Sequence, residues 1–338
     1  LYRTDFVQPE TRSHEIASFV GGGLQDLSIS RTTFDWGVPV PGNPDHVMYV
    51  WVDALTNYLT GLGFPDTDAP LFREFWPAAV HLIGKDIARF HAVYWPAFLM
   101  SAGIELPRKV FAHGFLFNQG EKMSKSVGNV IDPHAMVEEY GLDQLRFFLL
   151  REVPFGQDGN YSHDAIAGRK NSDLANNLGN LAQRSLSMVA KNLGGEVPEP
   201  GEFTAEDLAM LAQAGDVVAE YRSAFEALAF HRGLESVWRV IASANRYFTA
   251  QEPWVLRKTD PERMATVLYV TAEVLRIVAV LVQPVMPGSM ARLLEQLGQP
   301  EGEARMFSAL GTRLAPGTVL PKPSGVFPRY EEPAALAD

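Results

Sequence analysis

Between Glu121 and Asn129 the chain reads Glu-Lys-Met-Ser-Lys-Ser-Val-Gly-Asn, with Gly120 and Gly128 flanking two lysines and two serines. Lys122 and Lys125 are point charges able to neutralise phosphate oxygens. The hydroxyls of Ser124 and Ser126 add donors, and the glycines let the backbone bend around a ligand. Such a loop suits a polyphosphate, and mobility would let it close over a transition state. The plainer alternative is an exposed basic turn. Asp132-Pro133 follows as helix N-cap and first helical residue, so the loop runs toward a helix N-terminus.

A second group could hold a small apolar ligand with a charged end. Trp51, Tyr58, Phe90 and Trp95 supply aromatic surface, whose attraction for a thioether is roughly 0.3 to 1.5 kcal/mol. Ala54 and Ile87 could shape the walls, and Asp86, at an expected strand-to-helix turn, could hold an ammonium. Against this, positions 87, 90, 91, 94, 95 and 98 share helical spacing and would also make an ordinary core stripe. His91 could be a hydrogen-bonded core histidine, and Asp86 a helix cap. A third group lies further on. Asn180 and Arg184 are four apart and share a helix face, and Trp254 follows Pro253 at a break between helices. These side chains suit hydrogen bonding and stacking with unpaired bases, or else a polar surface and a packed indole.

The elements that position these groups change character along the chain. Residues 46–52 and 78–84 read as strands, 87–101 as an aromatic-rich helix that Pro96 kinks or tightens, and 109–117 as another strand or a hairpin. Strand, helix, strand spells an α/β region. Helices follow at 133–140 and 142–151, with Gly141 between them, and from Asp164 the pattern is long helices over 165–193, 205–230, 232–251 and 261–282. The Pro- and Gly-rich tail over 315–328 reads as an extended strap or disordered end, not a packed element.

Length and composition bound the answer. The 338 residues imply two domains, and 46% hydrophobic content is ample for their cores. Zero cysteines exclude disulfides, thiolate metal sites and a cysteine nucleophile, so no metal ligand set is expected and a cytoplasmic location fits. A net charge of −11 argues against indiscriminate nucleic-acid binding, yet leaves room for a local basic site. The longest apolar stretch, from Ile277 to Met286, is shorter than a bilayer span and contains Pro284, so no membrane partner is expected. The chain begins at Leu1 without a basic-then-apolar leader, which reads as an internal position.

Lys122-Met123-Ser124-Lys125-Ser126 resembles the signature loop of class I aminoacyl-tRNA synthetases. Three further stretches resemble the methionyl-tRNA synthetase family: Gly22 to Arg31, Tyr49-Val50-Trp51-Val52-Asp53-Ala54, and His81-Leu82-Ile83-Gly84-Lys85-Asp86-Ile87-Ala88-Arg89-Phe90-His91. The resemblance implies an α/β plus all-α protein, in which a Rossmann-like nucleotide-binding region precedes a helical-bundle anticodon-binding domain. Residues 1–115 would be catalytic, 116–163 the loop and stem-contact region, and 164–338 the anticodon domain. It implies that Lys122 and Lys125 act on ATP phosphates, with Met123, Ser124 and Ser126 in the same ATP-binding loop. It implies that Trp51, Ala54, Tyr58, Asp86, Ile87, Phe90, His91 and Trp95 hold methionine, His91 near the sulfur, and that Asn180, Arg184 and Trp254 read the anticodon of tRNA(Met). ATP would arrive with Mg²⁺, and a monomer is the default.

One family motif, His-x-Gly-His, is not found. His81-Leu82-Ile83-Gly84 has its first letters only, Lys85 standing where the second histidine would be, and reads as a decoy. The expectation that follows is a chain lacking the N-terminal half of its catalytic domain, inactive alone and partnered by that half. The rivals are a non-catalytic tRNA-binding module and another class I synthetase of the leucine or valine type.

Overall fold

The computed structural model describes residues 5–118, 120–123 and 128–331. Contacts divide the chain into one unit of residues 1–115 with 156–158, and a second of 116–155 with 159–338. In the first, Lys109–His113 is the centre of a parallel sheet, with Val7–Gln8 on one side and Val80–Gly84 on the other. Parallel neighbours need crossovers. Helix Glu10–Gly21 follows the first strand, and a helical run over 85–101 links the other two. Val110 and Ala112 are fully buried, as a central strand covered on both faces should be.

Two sequence expectations change here. Strand Asn43–Met48 ends earlier than the predicted 46–52, and a helix runs Val50–Thr60, so Trp51 and Val52 are helical. Trp51, Leu55 and Leu59 recur at the spacing of one helix face, and packing that face with Trp95 and Leu99 overrides the β-preference of the Val-Trp-Val run. The run over 85–101 is not one α-helix. It starts as a 3₁₀ turn at Lys85–Ile87, widens to a π-helix at Phe90–Tyr94, and becomes α only at Trp95–Ser101. A proline ring collides with the carbonyl four residues back. The turn ahead of Pro96 is opened rather than tightened, which moves that carbonyl away.

In the second unit Leu116–Asn118 pairs antiparallel with Glu121–Lys122 and parallel with Gly159–Tyr161. The expected hairpin therefore lies at 116–122, and strand Lys109–His113 is separate from it. Helices Pro133–Tyr140 and Leu142–Glu152 meet at Gly141, whose φ of +92° favours glycine. The long helix expected at 165–193 is α at His163–Arg169, π at Lys170–Gly179 and α again at Asn180–Asn192. Ala205–Glu226 ends before the expected 230, because Leu228 turns to φ +57°, and Phe230–Ala250 follows. Helix Pro287–Gln296 was not anticipated.

Helix Pro261–Val282 is long and apolar enough to cross a membrane by composition, a longer stretch than the expected Ile277–Met286. Its apolar length is wholly buried in the bundle. It carries Glu273 and Arg276, 2% and 1% exposed, bound to each other at 2.7 and 2.9 Å. Arg276 Nη1 also donates to the Ala309 carbonyl at 3.2 Å, and Glu273 Oε2 accepts from the Leu314 amide at 3.0 Å. The tail expected to be unpacked is held in place. The Gly317 amide donates to the Val197 carbonyl, the Val197 amide donates to the Thr318 carbonyl, and Val326 and Phe327 are buried.

Asp207 pins the other end of the bundle. Its carboxylate, fully buried, accepts from Tyr247 Oη, the Thr204 amide and the Arg263 guanidinium. Burial alone would raise its pKa, but the bonds from Arg263, Tyr247 and Thr204 outweigh it and the net shift is downward. A lowered folded pKa gives stability that is present above the unfolded value, about 3.9, and is lost as pH falls through the folded one. Asp207→Ala leaves Arg263 without its carboxylate and is expected to destabilise the helical unit by about 3 to 5 kcal/mol. Urea unfolding at pH 7 measures this, and the gap to the unmodified protein should narrow below about pH 4.

Candidate functional site

The helix Val50–Thr60 and the π turn Phe90–Tyr94 bring most of the predicted aromatic set together. Trp51 stacks on Phe90 with centroids 4.1 Å apart and planes 11° from parallel, and meets His91 edge-on at 6.0 Å. Tyr58 lies 5.7 Å from His91 and 6.5 Å from Trp95. The core-stripe alternative holds for Trp95, which is 2% exposed and packed with Leu55, Leu59, Phe72, Trp76 and Leu99. It holds also for His91, which is 2% exposed and hydrogen-bonded, but not for Phe90, which is half-buried; outside the stripe, Tyr58 is 40% exposed and Trp51 half-buried. Ala54 is exposed one turn before Tyr58 on the same helix.

Hydrogen bonds fix the protonation of this wall. His91 Nδ1 lies 3.1 Å from the Ile87 carbonyl, which only accepts, so Nδ1 carries the proton. In the neutral ring Nε2 is then bare, and at 3.0 Å it accepts the Tyr58 hydroxyl proton. Tyr58 therefore presents only lone pairs to what lies beside it. Burial lowers the His91 pKa, partly opposed by the Ile87 bond, and burial raises that of Tyr58. A neighbour that sequence reading dismissed as a decoy belongs to the same cluster. His81 Nε2 accepts the Trp95 indole N–H at 3.2 Å, and its ring lies 4.3 Å from Tyr58. Its signal was a polar residue in the inward phase of an apolar strand.

Asp86 is exposed and makes no capping hydrogen bond, so the cap alternative fails. Its carboxylate folds over Gly84, where a Cβ would stand 2.6 Å from Oδ1. Beside it, Lys85 Nζ holds Asp158 through both oxygens at 2.8 and 2.7 Å, and the Phe115 amide donates to the same carboxylate. The Lys85 bond and that amide hold the Asp158 carboxyl below the usual carboxylate range.

In the second unit, Lys122 is exposed in the hairpin and Met123 follows it, while Ser124, Lys125 and Ser126 lie outside the described residues. Gly120 and Gly128 have φ of +84° and +73°, as the bends around the loop require. Asn129 Nδ2 donates to the Lys122 carbonyl at 3.2 Å. Farther along, Arg184 and Trp254 are brought together. The guanidinium lies 5.4 Å from the Trp254 ring and 5.0 Å from that of Phe248. Trp254 is 39% exposed, and Asn180 is exposed one turn before Arg184. Glu252, in the left-handed region at φ +45°, turns the chain into Pro253 and Trp254.

Comparison with known proteins divides the chain later, between residues 186 and 197. The family described as tRNA synthetases class I (M) matches residues 2–186, and the anticodon binding domain of methionyl tRNA ligase matches 197–335. Methionine--tRNA ligase of Mycobacterium tuberculosis H37Rv is 66% identical over 333 residues, covering 97% of this chain and 64% of the relative. That of Brucella melitensis is 64% identical over 327 residues, covering 97% and 63%. The solved Mycobacterium tuberculosis methionyl-tRNA synthetase in complex with methionyl-adenylate superposes with a TM-score of 0.94 at 66% identity, over 96% of this chain and 65% of that one. Its apo form gives 0.92 at 63%, over 98% and 65%. This chain thus spans somewhat under two thirds of the length of these relatives.

These matches correct one expectation. The class I match over residues 2–186 and the anticodon-domain match over 197–335 represent both regions of the family. A catalytic region without its first half, an inactive piece and a missing half as partner are set aside, as is a leucine- or valine-type enzyme.

The two histidines generate a titration result. Burial first, and then the charge of His91, pushes the His81 pKa down to about 4. Both rings are therefore expected to be neutral at pH 7, His81 with its proton on Nδ1 and a midpoint near 4. Proton–nitrogen correlation spectra across pH 3.5 to 8 check both points, and an ordinary midpoint near 6.5 for His81 would contradict the packing described.

Proposed function

Because the chain belongs to the class I tRNA synthetase (M) family, we propose that it activates methionine with ATP and transfers the methionyl group to tRNA(Met). The observation that carries this reading is the neutral aromatic wall of Trp51, Tyr58, Phe90 and His91, braced by the Tyr58–His91 hydrogen bond and by the bond from His91 to the Ile87 carbonyl. A thioether is uncharged and polarizable, so it gains from ring contact and would lose from a buried imidazolium. Ala54 and Ile87 complete the wall, Trp95 packs behind it, and the exposed carboxylate of Asp86 takes the substrate ammonium.

In the first step the methionine carboxylate oxygen attacks the α-phosphorus of ATP, the α–β bridging bond breaks, and pyrophosphate leaves with Mg²⁺ as counterion of the substrate. Lys122 and Lys125 neutralise phosphate charge as it develops, which needs no proton transfer from either. In the second step a terminal ribose hydroxyl of the tRNA attacks the acyl carbon, its proton is lost, and AMP leaves. The relative solved with methionyl-adenylate supports this intermediate. Residues 1–115 are assigned to the catalytic α/β region, 116–163 to the loop and stem-contact region, and 164–338 to the anticodon domain. There Asn180, Arg184 and Trp254 read unpaired bases. The stacked Arg184 and half-exposed Trp254 support that assignment.

Methionine-dependent exchange of pyrophosphate into ATP is the direct test, and its absence from the full protein would remove the reading. Lys125→Ala should slow that exchange by orders of magnitude while methionine affinity changes far less, because its charge acts as the transition state forms.

Trp254→Ala should leave exchange intact and lower kcat/KM for tRNA by roughly ten- to a hundredfold, the worth of one base stack. Aminoacylation of tRNAs with altered anticodons checks it: a variant that still discriminates them fully is no anticodon reader.

A further inference from the structure

Along strand Val80–Gly84, Val80 and Leu82 are exposed while His81 and Ile83 are buried. The proposed chemistry gives His81 no task, yet its surroundings are specific. The Trp95 indole is buried at 2% and can only donate a hydrogen bond, and its N–H finds His81 Nε2 at 3.2 Å. The opposite contact of the imidazole is with Tyr58, its ring 4.3 Å away. Trp76 and His91 stand at 6.1 and 5.9 Å on other sides. Trp76 does not compete for the same lone pair, because its own indole N–H donates to the Glu105 carbonyl at 2.9 Å.

A ring that only filled space here could be phenylalanine. What histidine adds is an acceptor for a donor that has no water to turn to. We propose that His81 is the positioning residue of the methionine pocket: its bare Nε2 fixes the buried Trp95 indole behind the wall, and its ring backs Tyr58, so that Tyr58 is set for a thioether side chain. The indole, so held, cannot rotate about its side-chain bonds without abandoning its only hydrogen bond. Tyr58, whose hydroxyl is already committed to His91, is held between two imidazoles. This rests on the reading of the pocket given above.

Two substitutions separate the acceptor from the ring. His81→Phe keeps a flat ring against Tyr58 and loses the acceptor, whereas His81→Gln keeps an amide oxygen near the position of Nε2 and loses the ring. In the full protein, His81→Phe is expected to raise the KM for methionine about tenfold in pyrophosphate exchange, with kcat within about twofold, because a buried donor is left unpaired. His81→Gln should stay within about threefold of the unmodified KM. Simple packing predicts the reverse order, so a His81→Phe enzyme as good as or better than His81→Gln overturns the proposal. The Trp95 indole proton gives a check that needs no variant to fold. In the unmodified protein it should resonate downfield as an imidazole-bound N–H and resist solvent exchange, and a solvent-like shift overturns the proposal. Absence of methionine-dependent exchange in the unmodified protein would sink the functional reading instead, which the indole resonance keeps apart from the fate of the His81 bond.

Discussion

A helix that is apolar on every side must be surrounded, and Pro261–Val282 imposes that on the helical unit. Nearly every residue from Met264 to Val282 is buried, so partners must cover it all round, and the helices ending at Asn192, Glu226 and Ala250 do so. The one charged pair within its buried length then sets the rest. Glu273 and Arg276 neutralise each other but keep spare hydrogen-bonding capacity, and the groups that use it are the backbone of residues 309 to 314. An unsatisfied guanidinium in that place would be costly, so the segment after the last helix is fixed by a polar demand from the centre of an apolar helix. The first turn serves the other end of the argument. Arg263 reaches Gln251 at 2.7 Å as well as Asp207, which steadies the corner from which Trp254 projects.

The α/β unit follows the same logic on a smaller scale. Its aromatic wall is tied by a short set of hydrogen bonds that join the Ile87 oxygen, both imidazoles, one phenol and one indole. Because the Ile87 carbonyl only accepts and the Trp95 indole only donates, the tautomers of His91 and His81 follow from them, and the wall has a defined polarity as well as a shape. Such a wall discriminates by what it refuses to solvate. A ligand bringing a charge into it would find no compensating partner, whereas a neutral, soft side chain leaves every existing bond in place.

Much of this was legible in the chain itself. The loop around Lys122, the aromatic set on two segments and the Asn180, Arg184, Trp254 set stand out by residue type and spacing together with family resemblance, and the structure places Trp51, Tyr58, Phe90 and His91 side by side. The change from α/β to long helices was also readable from periodicity. What escaped reading depends on partners far along the sequence. Val50 to Val52 have strand-forming side chains, and only the packing of Leu55 and Leu59 makes them helical. The π turns at Phe90–Tyr94 and Lys170–Gly179 leave no mark in a 3.6-residue period. His81 was read as part of a linear motif and set aside, although its meaning lies in an indole fourteen residues later.

The strap has a consequence for how the chain reaches this state. Tyr330 exchanges two hydrogen bonds with Asn171, 159 residues earlier, and its hydroxyl bonds Glu139, 191 residues earlier. Arg146 holds the carbonyls of Pro284 and Val285 across nearly as long a separation. Loops of that size close slowly, and their contacts give nothing back until both ends exist. On the ribosome, helices Pro133–Tyr140 and Leu142–Glu152 therefore wait, partly uncovered, while more than a hundred further residues are added, and the unit closes only after residue 330 has emerged. For that interval the nascent chain shows apolar faces that the finished protein hides, and it is then that it most needs shielding from its neighbours.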